Sequence, residues 1–140
     1  MTATPAPAWR RSVPLRFRDF DYLGHMTASS YLALLEENRV EWLAGTDPDG
    51  RPGYVVATQE LTFHREILPA DGPVAITVTG RPVSARSYEV HETIAGATGH
   101  LHATSRARLV GWDRERRAPR PLTQVELALL EGRAEIRTGV

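Results

Sequence analysis

The chain has 140 residues, of which 41% are hydrophobic, and it balances 17 basic against 17 acidic side chains with no cysteine. This composition is typical of one compact domain, and the zero net charge argues against a basic surface for nucleic acid or anionic lipid. The lack of cysteine excludes disulfides, thiol catalysis and thiolate metal sites. Residues 1–14 lack the apolar run of a signal peptide, and no stretch approaches the roughly 18 apolar residues of a membrane span, so we expect a cytoplasmic protein without membrane contact.

The first elements in chain order are a tail, a strand and a long helix. Residues 1–12 are rich in Ala, Pro and Thr and predict a flexible tail. Residues 13–17 alternate apolar and polar side chains, which indicates a half-buried strand, and Pro14 favours an edge position. Residues 29–44 carry apolar side chains mostly on one helical face, and Gly45 follows where a helix commonly ends.

Four β-rich runs and a short helix make up the rest of the chain. The runs cover residues 54–67, 74–82, 84–95 and 100–113. Their short connections favour an antiparallel meander, and their lengths predict bulges or strong curvature. Near the end, Thr123 and Glu126 have the spacing of a capping box and Gly132 offers a stop, which predicts a short terminal helix.

This order of elements predicts an α+β domain with one antiparallel sheet against one long helix. The helix can cover only one face of the sheet, so the other face and the strand edges stay open. Self-association would cover them, and we therefore expect a homo-oligomer.

Residues 18–26 carry the candidate chemistry. They supply two carboxylates, Asp19 and Asp21, and a Gly-His pair immediately before the predicted helix. A carboxylate in this position lies beside the unpaired N–H groups of a helix N-terminus. A base or nucleophile next to an oxyanion-stabilising donor is the arrangement that hydrolysis of an activated acyl group requires.

Residues 17–26, with Tyr31 and residues 36–39 on the predicted helix, resemble the Asp-x-Asp-x-x-Gly-His motif, helical Tyr and Glu-x-x-Arg of the hotdog-fold thioesterases, in the 4-hydroxybenzoyl-CoA thioesterase-like group. Further matches follow in the family's order at residues 63–65, 71–72, 86–88 and 121–122. The resemblance implies a hotdog fold, in which a five-stranded antiparallel sheet wraps around one long central helix, over a single domain at residues 13–140.

The resemblance also implies an acyl thioesterase that releases free acid and thiol from acyl-CoA or acyl-carrier-protein thioesters. The catalytic residue of the family corresponds to Asp21, which acts either as a nucleophile, through a mixed anhydride, or as a general base on water. The backbone N–H of Ala28 corresponds to the oxyanion donor. Many relatives carry two Asn residues where this chain has Thr27 and Ala28. Coenzyme A enters only as part of the substrate, so no cofactor is expected, and the site is shared between subunits of a homodimer or dimer of dimers.

Two side chains near Asp21 have alternative interpretations. His25 either positions the substrate and polarises its carbonyl, or fixes the loop by hydrogen bonding. Asp19 lies two residues from Asp21 and, on an extended segment, would point the same way. The preferred interpretation of Asp19 is a surface ion pair with Arg16 or Arg18.

Four further titratable residues are assigned roles outside the chemistry. Glu36 and Glu37 match the helix-borne base of another hotdog subgroup, but an ion pair with Arg39 or an interface role is the preferred interpretation. His100 and His102 share a strand face without a third matched ligand. We assign them a structural or exposed role and expect no metal site.

Substrate binding is predicted at five positions. Arg86 starts a predicted strand, where relatives place basic residues near the nucleotide phosphates of coenzyme A, and a guanidinium suits bidentate phosphate binding. A solvated surface role is the alternative for Arg86. Ser87 and Arg65 are weaker candidates for phosphate binding, and Gly24 and Tyr31 of the motif are further substrate-binding candidates.

The alternative function is a non-catalytic hotdog protein that binds an acyl or aromatic ligand, because a fold does not fix a function. Asp21 discriminates between the two functions. Hydrolysis needs a carboxylate at the oxyanion site, whereas ligand binding alone does not.

Overall fold

The computed structural model describes residues 8–132. Its helices and strands are, in chain order, β1 (Trp9–Val13), α1 (Ala28–Leu43), β2 (Tyr54–Phe63), β3 (Val74–Pro82), β4 (Ser87–Ala95), β5 (Leu101–Asp113), β6 (Ala118–Pro119) and α2 (Gln124–Leu130). The predicted α+β architecture is confirmed, with one long helix, an antiparallel sheet and a short terminal helix.

The sheet runs in the order β1-β3-β4-β5-β2, and the two residues of β6 pair with the end of β5. Strands β3, β4 and β5 form the predicted meander. Strand β2 differs from the prediction, because it pairs with β5 at the far edge instead of with β3. Residues 64–73 form a long connection with a 3-10 turn, so β2 and β3 are free to lie apart, which a tight hairpin would prevent. The predicted bulges occur in β2, between Val56 and Thr58, and in β5, where His102 is the extra residue opposite Ile94 and Ala95 of β4.

Strand β1 lies earlier in the chain than the sequence predicts. It ends at Val13, where the prediction placed its start, so residues 9–12 of the predicted tail are paired with β3 at the sheet edge. After Pro14 the chain leaves the sheet, and Phe17–Asp19 is a 3-10 turn. Phe17 is 99% exposed, so the alternation over residues 13–17 does not mark a buried face. Residues 1–7 of the predicted tail lie outside the described residues.

Helix α1 packs one face against the concave side of the sheet. Thr27 caps its start, since the Thr27 hydroxyl accepts a hydrogen bond from the Ser30 N–H at 3.2 Å. The buried positions recur at the three- and four-residue spacing of one helical face: Ser30, Tyr31, Leu34, Leu35, Asn38, Arg39, Trp42 and Leu43. Their apolar members join side chains of β3, β4 and β5 in one hydrophobic cluster. Burial of this cluster holds the start of α1 in a fixed place against the sheet.

The terminal helix α2 forms as predicted. Thr123 and Glu126 make the reciprocal capping box, with distances of 2.8 and 3.1 Å between backbone nitrogens and side-chain oxygens. Gly132 follows α2 at φ +70°, in the left-handed region that favours glycine. Within residues 8–132, no helix is long and apolar enough to cross a membrane.

Candidate active site

The loop over residues 20–26 delivers the candidate carboxylate to the start of α1. Phe20 and Met26 form an antiparallel bridge, the Asp21 N–H donates to the His25 carbonyl at 3.1 Å, and the Gly24 N–H donates to the Asp21 carbonyl at 3.0 Å. Gly24 has φ +80°, and a Cβ there would meet nothing within 4 Å. Backbone conformation rather than space therefore selects glycine at this turn.

The two oxygens of the Asp21 carboxylate have different partners. Oδ1 accepts a hydrogen bond from the Leu23 N–H at 2.9 Å, which closes a local turn. Oδ2 lies 3.5 Å from Nε2 of His25. Turn formation and chemistry are thus compatible at Asp21, because the turn occupies one oxygen and leaves the other beside an imidazole.

The second ring nitrogen of His25 faces another carboxylate. Nδ1 of His25 lies 3.2 Å from Oε2 of Glu66, whose side chain is 58% exposed. Glu66 was not among the residues singled out from the sequence. It lies 41 positions from His25, and no spacing rule relates residues that meet only through sheet topology.

Ala28 is the first residue of α1, so its N–H has no acceptor within the helix. The side-chain cap from Thr27 reaches the N–H of Ser30 and not that of Ala28. Ala28 also lines the pocket beside the loop. These features are compatible with the predicted oxyanion donor.

A pocket of about 380 Å³ opens next to this helix start. Tyr31 and Phe63 meet edge to face in it, with ring centroids 4.9 Å apart and an interplanar angle of 82°. Burial raises the pKa of Tyr31 above its usual value, so its phenol stays neutral near pH 7. The lining residues are His25, Met26, Ala28, Tyr31, Phe63, His64, Arg65 and Glu66. The pocket therefore combines an aromatic wall with a polar rim.

The model of the thioesterase-like superfamily matches residues 15–130. That span includes the loop, the pocket and both helices. The chain belongs to the thioesterase-like superfamily. The predicted family and its hotdog fold, a curled antiparallel sheet around a central helix, are confirmed.

Solved structures of thioesterases share this fold. One is a thioesterase from Thermus thermophilus in complex with coenzyme A and Zn, which is 29% identical, with a TM-score of 0.75 over 89% of this chain and 95% of that chain. Another is Slr0204, a 1,4-dihydroxy-2-naphthoyl-CoA thioesterase from Synechocystis, which is 18% identical, with a TM-score of 0.70 over 88% of this chain and 93% of that chain. No curated protein matches the sequence.

Six of the eight predicted site residues fall into two groups. Asp21, Gly24 and His25 share the loop, while Ala28, Tyr31 and Arg65 line the pocket. Within the described residues, Asp21 does not line the pocket. It contacts His25, which does line the pocket. The loop and pocket groups therefore adjoin each other at His25.

Arg86 and Ser87 lie apart from the pocket of their own chain. Ser87 pairs with Val110 on β5, whereas Phe63 of the pocket pairs with Ala103. Seven residues of strand separate these two positions, which is roughly 23 Å at 3.3 Å per residue. The Ser87 hydroxyl lies 2.6 Å from that of Ser84 in the turn before β4. Within one chain, these two residues are not brought to the thioesterase pocket.

The ion pairs of the motif carboxylates agree only in part with the prediction. Asp19 accepts a hydrogen bond from the Arg16 N–H at 2.8 Å and pairs with its guanidinium at 3.4 Å, as predicted, but the Asp19 side chain is buried instead of lying at the surface. Glu37 pairs with Arg16 and not with Arg39. Arg39 lies on the buried face of α1 and pairs with Glu92. The helical period explains the difference, because positions 37 and 39 point to different sides of α1.

His102 supports the pocket from behind. Its side chain is buried, and Nδ1 lies 2.9 Å from the Glu66 carbonyl and 3.2 Å from the Arg65 carbonyl. Since carbonyls only accept, Nδ1 carries the proton. His100 is exposed in the loop before β5. In the part of the chain that the structure describes, no three His, Asp or Glu side chains are grouped to hold a metal ion.

Proposed function

We propose that the protein hydrolyses acyl thioesters at the pocket beside residues 20–28, with Asp21 as the catalytic carboxylate. The observation that carries this proposal is that Oδ2 of Asp21 lies 3.5 Å from Nε2 of His25, which lines a pocket together with the first residue of a helix. Membership of the thioesterase-like superfamily supports thioester hydrolysis in general. The cytoplasmic location expected from the sequence stays a prediction.

Two chemical routes use the same carboxylate. Asp21 either attacks the thioester carbonyl, expelling the thiolate and forming a mixed anhydride that water then hydrolyses, or it removes a proton from a water that attacks directly. In both routes the carbonyl oxygen becomes negative. We assign its stabilisation to the Ala28 N–H, and one such donor contributes roughly 3 kcal/mol to the transition state in known oxyanion holes.

We propose that the substrate is an acyl-CoA or acyl-carrier-protein thioester. The aromatic contact of Tyr31 with Phe63 supports an apolar acyl group in the pocket. A thioesterase of related structure binds coenzyme A, which supports that carrier. Arg65 on the polar rim is suited to its phosphates.

We further propose that the protein is a homodimer or a dimer of dimers. Strand β2 is an open edge of the sheet, and Val56 and Phe63 on it are 42% and 53% exposed. A second copy paired there would cover apolar surface that one chain leaves in water. Such pairing would also allow Arg86 of one copy to approach the pocket of the other copy. Within one chain, Arg86 does not line the pocket.

Ala28→Pro is expected to lower kcat about 100-fold, the effect of removing one oxyanion donor. Proline lacks the N–H and is favoured at the first helical position. Thr27 has φ −72° and ψ 149°, which a residue before proline accepts. Release of free thiol from an acyl-CoA measures the rate. Ala28→Val adds bulk but keeps the N–H and serves as the control, so equal losses in both variants would reject the donor role.

Arg86→Ala is expected to raise the KM for acyl-CoA several-fold and to spare an acyl-pantetheine thioester. The reason is that a contact to the nucleotide phosphates is remote from the reacting carbonyl. Steady-state rates on the two substrates test this. Equal effects on both substrates, or no effect on either substrate, would contradict phosphate binding by Arg86. Efficient hydrolysis of an acyl-carrier-protein thioester, with an unchanged KM for acyl-CoA in the variant, would favour the protein carrier.

A further inference from the structure

We infer that Glu66 is a positioning residue for the reaction: it holds His25 with the proton on Nδ1 and with Nε2 facing Asp21. This inference rests on the proposed function in its general-base form. It starts from the geometry of three side chains, since both ring nitrogens of His25 face carboxylate oxygens, at 3.2 Å for Glu66 and 3.5 Å for Asp21.

The segment that carries Glu66 is fixed on both sides. His102 donates from Nδ1 to the Glu66 carbonyl at 2.9 Å, and the N–H groups of His64 and Arg65 donate back to the His102 carbonyl at 2.8 and 3.2 Å. On the other side, the Met26 N–H donates to the Ile67 carbonyl at 2.9 Å. The backbones that present His25 and Glu66 are thus directly hydrogen-bonded. A side chain on such a support can define the orientation of its partner.

Hydrogen-bond chemistry determines the tautomer. Of the two contacts of the His25 ring, the one between Nδ1 and Oε2 of Glu66 has the geometry of a hydrogen bond, at 3.2 Å. An ionised Glu66 carboxylate only accepts, so Nδ1 of His25 donates in that bond. A neutral imidazole has a single N–H, which leaves a lone pair on Nε2. That lone pair lies 3.5 Å from Oδ2 of Asp21, and it accepts a hydrogen bond from Asp21 once the carboxylate has taken a proton.

The arrangement gives the proton a path through the reaction. Asp21 takes a proton from the attacking water as the carbon–oxygen bond forms, and the resulting carboxylic acid passes a proton to Nε2 of His25. The imidazolium then protonates the sulfur as the carbon–sulfur bond breaks. Free acid and thiol are the only products, and both Asp21 and His25 return to their starting states. Glu66 keeps its hydrogen bond to Nδ1 throughout and exchanges no proton.

Nuclear magnetic resonance tests the tautomer without any turnover. Long-range proton–nitrogen spectra of the ¹⁵N-labelled full chain, at a pH where His25 is neutral, should show its proton on Nδ1. A His25→Asn variant assigns the signals. In Glu66→Ala we expect the proton to move mainly to Nε2, the tautomer that free imidazole side chains prefer in water. An unchanged tautomer in Glu66→Ala would overturn the inference.

Kinetics tests the consequence. Glu66→Ala should lower kcat for an acyl thioester about 10-fold with KM nearly unchanged, whereas Glu66→Gln should lose much less because its amide oxygen still accepts from Nδ1. Glu115→Gln, in the turn between β5 and β6, removes the same charge elsewhere and should match the wild type. Equal losses in the Ala and Gln variants of Glu66, or wild-type kcat in Glu66→Ala, would contradict positioning by this hydrogen bond.

The two levels of proposal fail in different ways. If Asp21→Asn keeps full turnover, the catalytic role of Asp21 in the proposed function is wrong, whatever the His25 tautomer is. If Asp21→Asn is inactive while Glu66→Ala keeps both the wild-type rate and the Nδ1 tautomer, the proposed function stands and the inference about Glu66 alone is wrong.

Discussion

Asp21→Asn is expected to reduce kcat for thioester hydrolysis about 1,000-fold, within the range that removal of a positioned base or nucleophile produces. An amide neither attacks the carbonyl nor takes a proton from water at neutral pH. The local structure should persist, because the Asn oxygen can still accept from the Leu23 N–H, as Oδ1 of Asp21 does at 2.9 Å. The loss should therefore appear in the chemistry and leave stability nearly unchanged.

Release of free thiol across a panel of acyl-CoA and acyl-carrier-protein thioesters measures the rate. Asp49→Asn, in the exposed loop after α1, is the matched control and should keep wild-type turnover. Light scattering on both variants should give at least twice the 15.5 kDa of one chain. Wild-type turnover in a folded Asp21→Asn variant would exclude Asp21 as the catalytic residue. A wild-type protein that binds acyl ligands but turns over no thioester would support the non-catalytic alternative.

Local parts of the fold could be predicted because their determinants are local. Strand β3 has the predicted limits, and the capping box of Thr123 with Glu126 forms as its spacing indicates. The turn at Gly24 and the start of α1 follow from short-range rules on glycine conformation and helix termini. The contact of Asp21 with His25 spans four positions, so a single loop is enough to produce it.

Long-range parts of the site could not be predicted, because they depend on which strands become neighbours. The pairing of β2 with β5 cannot be inferred from the local sequence of either strand. That pairing places Phe63 and Glu66 beside the start of α1. The placement of β1 was missed for a different reason. Apolar and polar side chains alternate over residues 13–17, as in a half-buried strand, but Phe17 is exposed. An alternating sequence does not by itself show that its apolar side chains are buried.

The partner of Arg39 was a second long-range error. Arg39 pairs with Glu92, 53 positions away on β4, through two hydrogen bonds of 3.0 and 2.6 Å. Both side chains are almost fully buried. Glu92 also accepts from the Ser105 hydroxyl at 3.1 Å. An arginine at a core position of α1 therefore requires a carboxylate on the facing strand, but the helix sequence does not identify which one.

Arg39→Met is expected to lower the free energy of unfolding by about 3–5 kcal/mol, the usual cost of leaving one member of a buried ion pair without its partner. Methionine fills part of the space of the arginine stem. The decrease in the free energy of unfolding should therefore come mainly from the unpaired charge of Glu92 and less from a cavity. Urea denaturation followed by circular dichroism, at equal protein concentration, measures the change. Arg106→Met, on β5, removes an exposed cation 3.7 Å from Glu89 of β4 and should leave the midpoint unchanged, because exposed ion pairs contribute little.

The double variant Arg39→Met with Glu92→Met separates the ion pair from the packing. If burial of an unpaired charge causes the loss, removing Glu92 as well should recover most of the stability, since apolar replacements of buried ion pairs are often neutral or stabilising. A double variant as unstable as Arg39→Met would show instead that the arginine stem and its packing matter more than its charge. Because Arg39 lies on the helix whose first turn forms the proposed oxyanion site, turnover of the recovered variant would also show whether this core pair is needed to hold Ala28 in place.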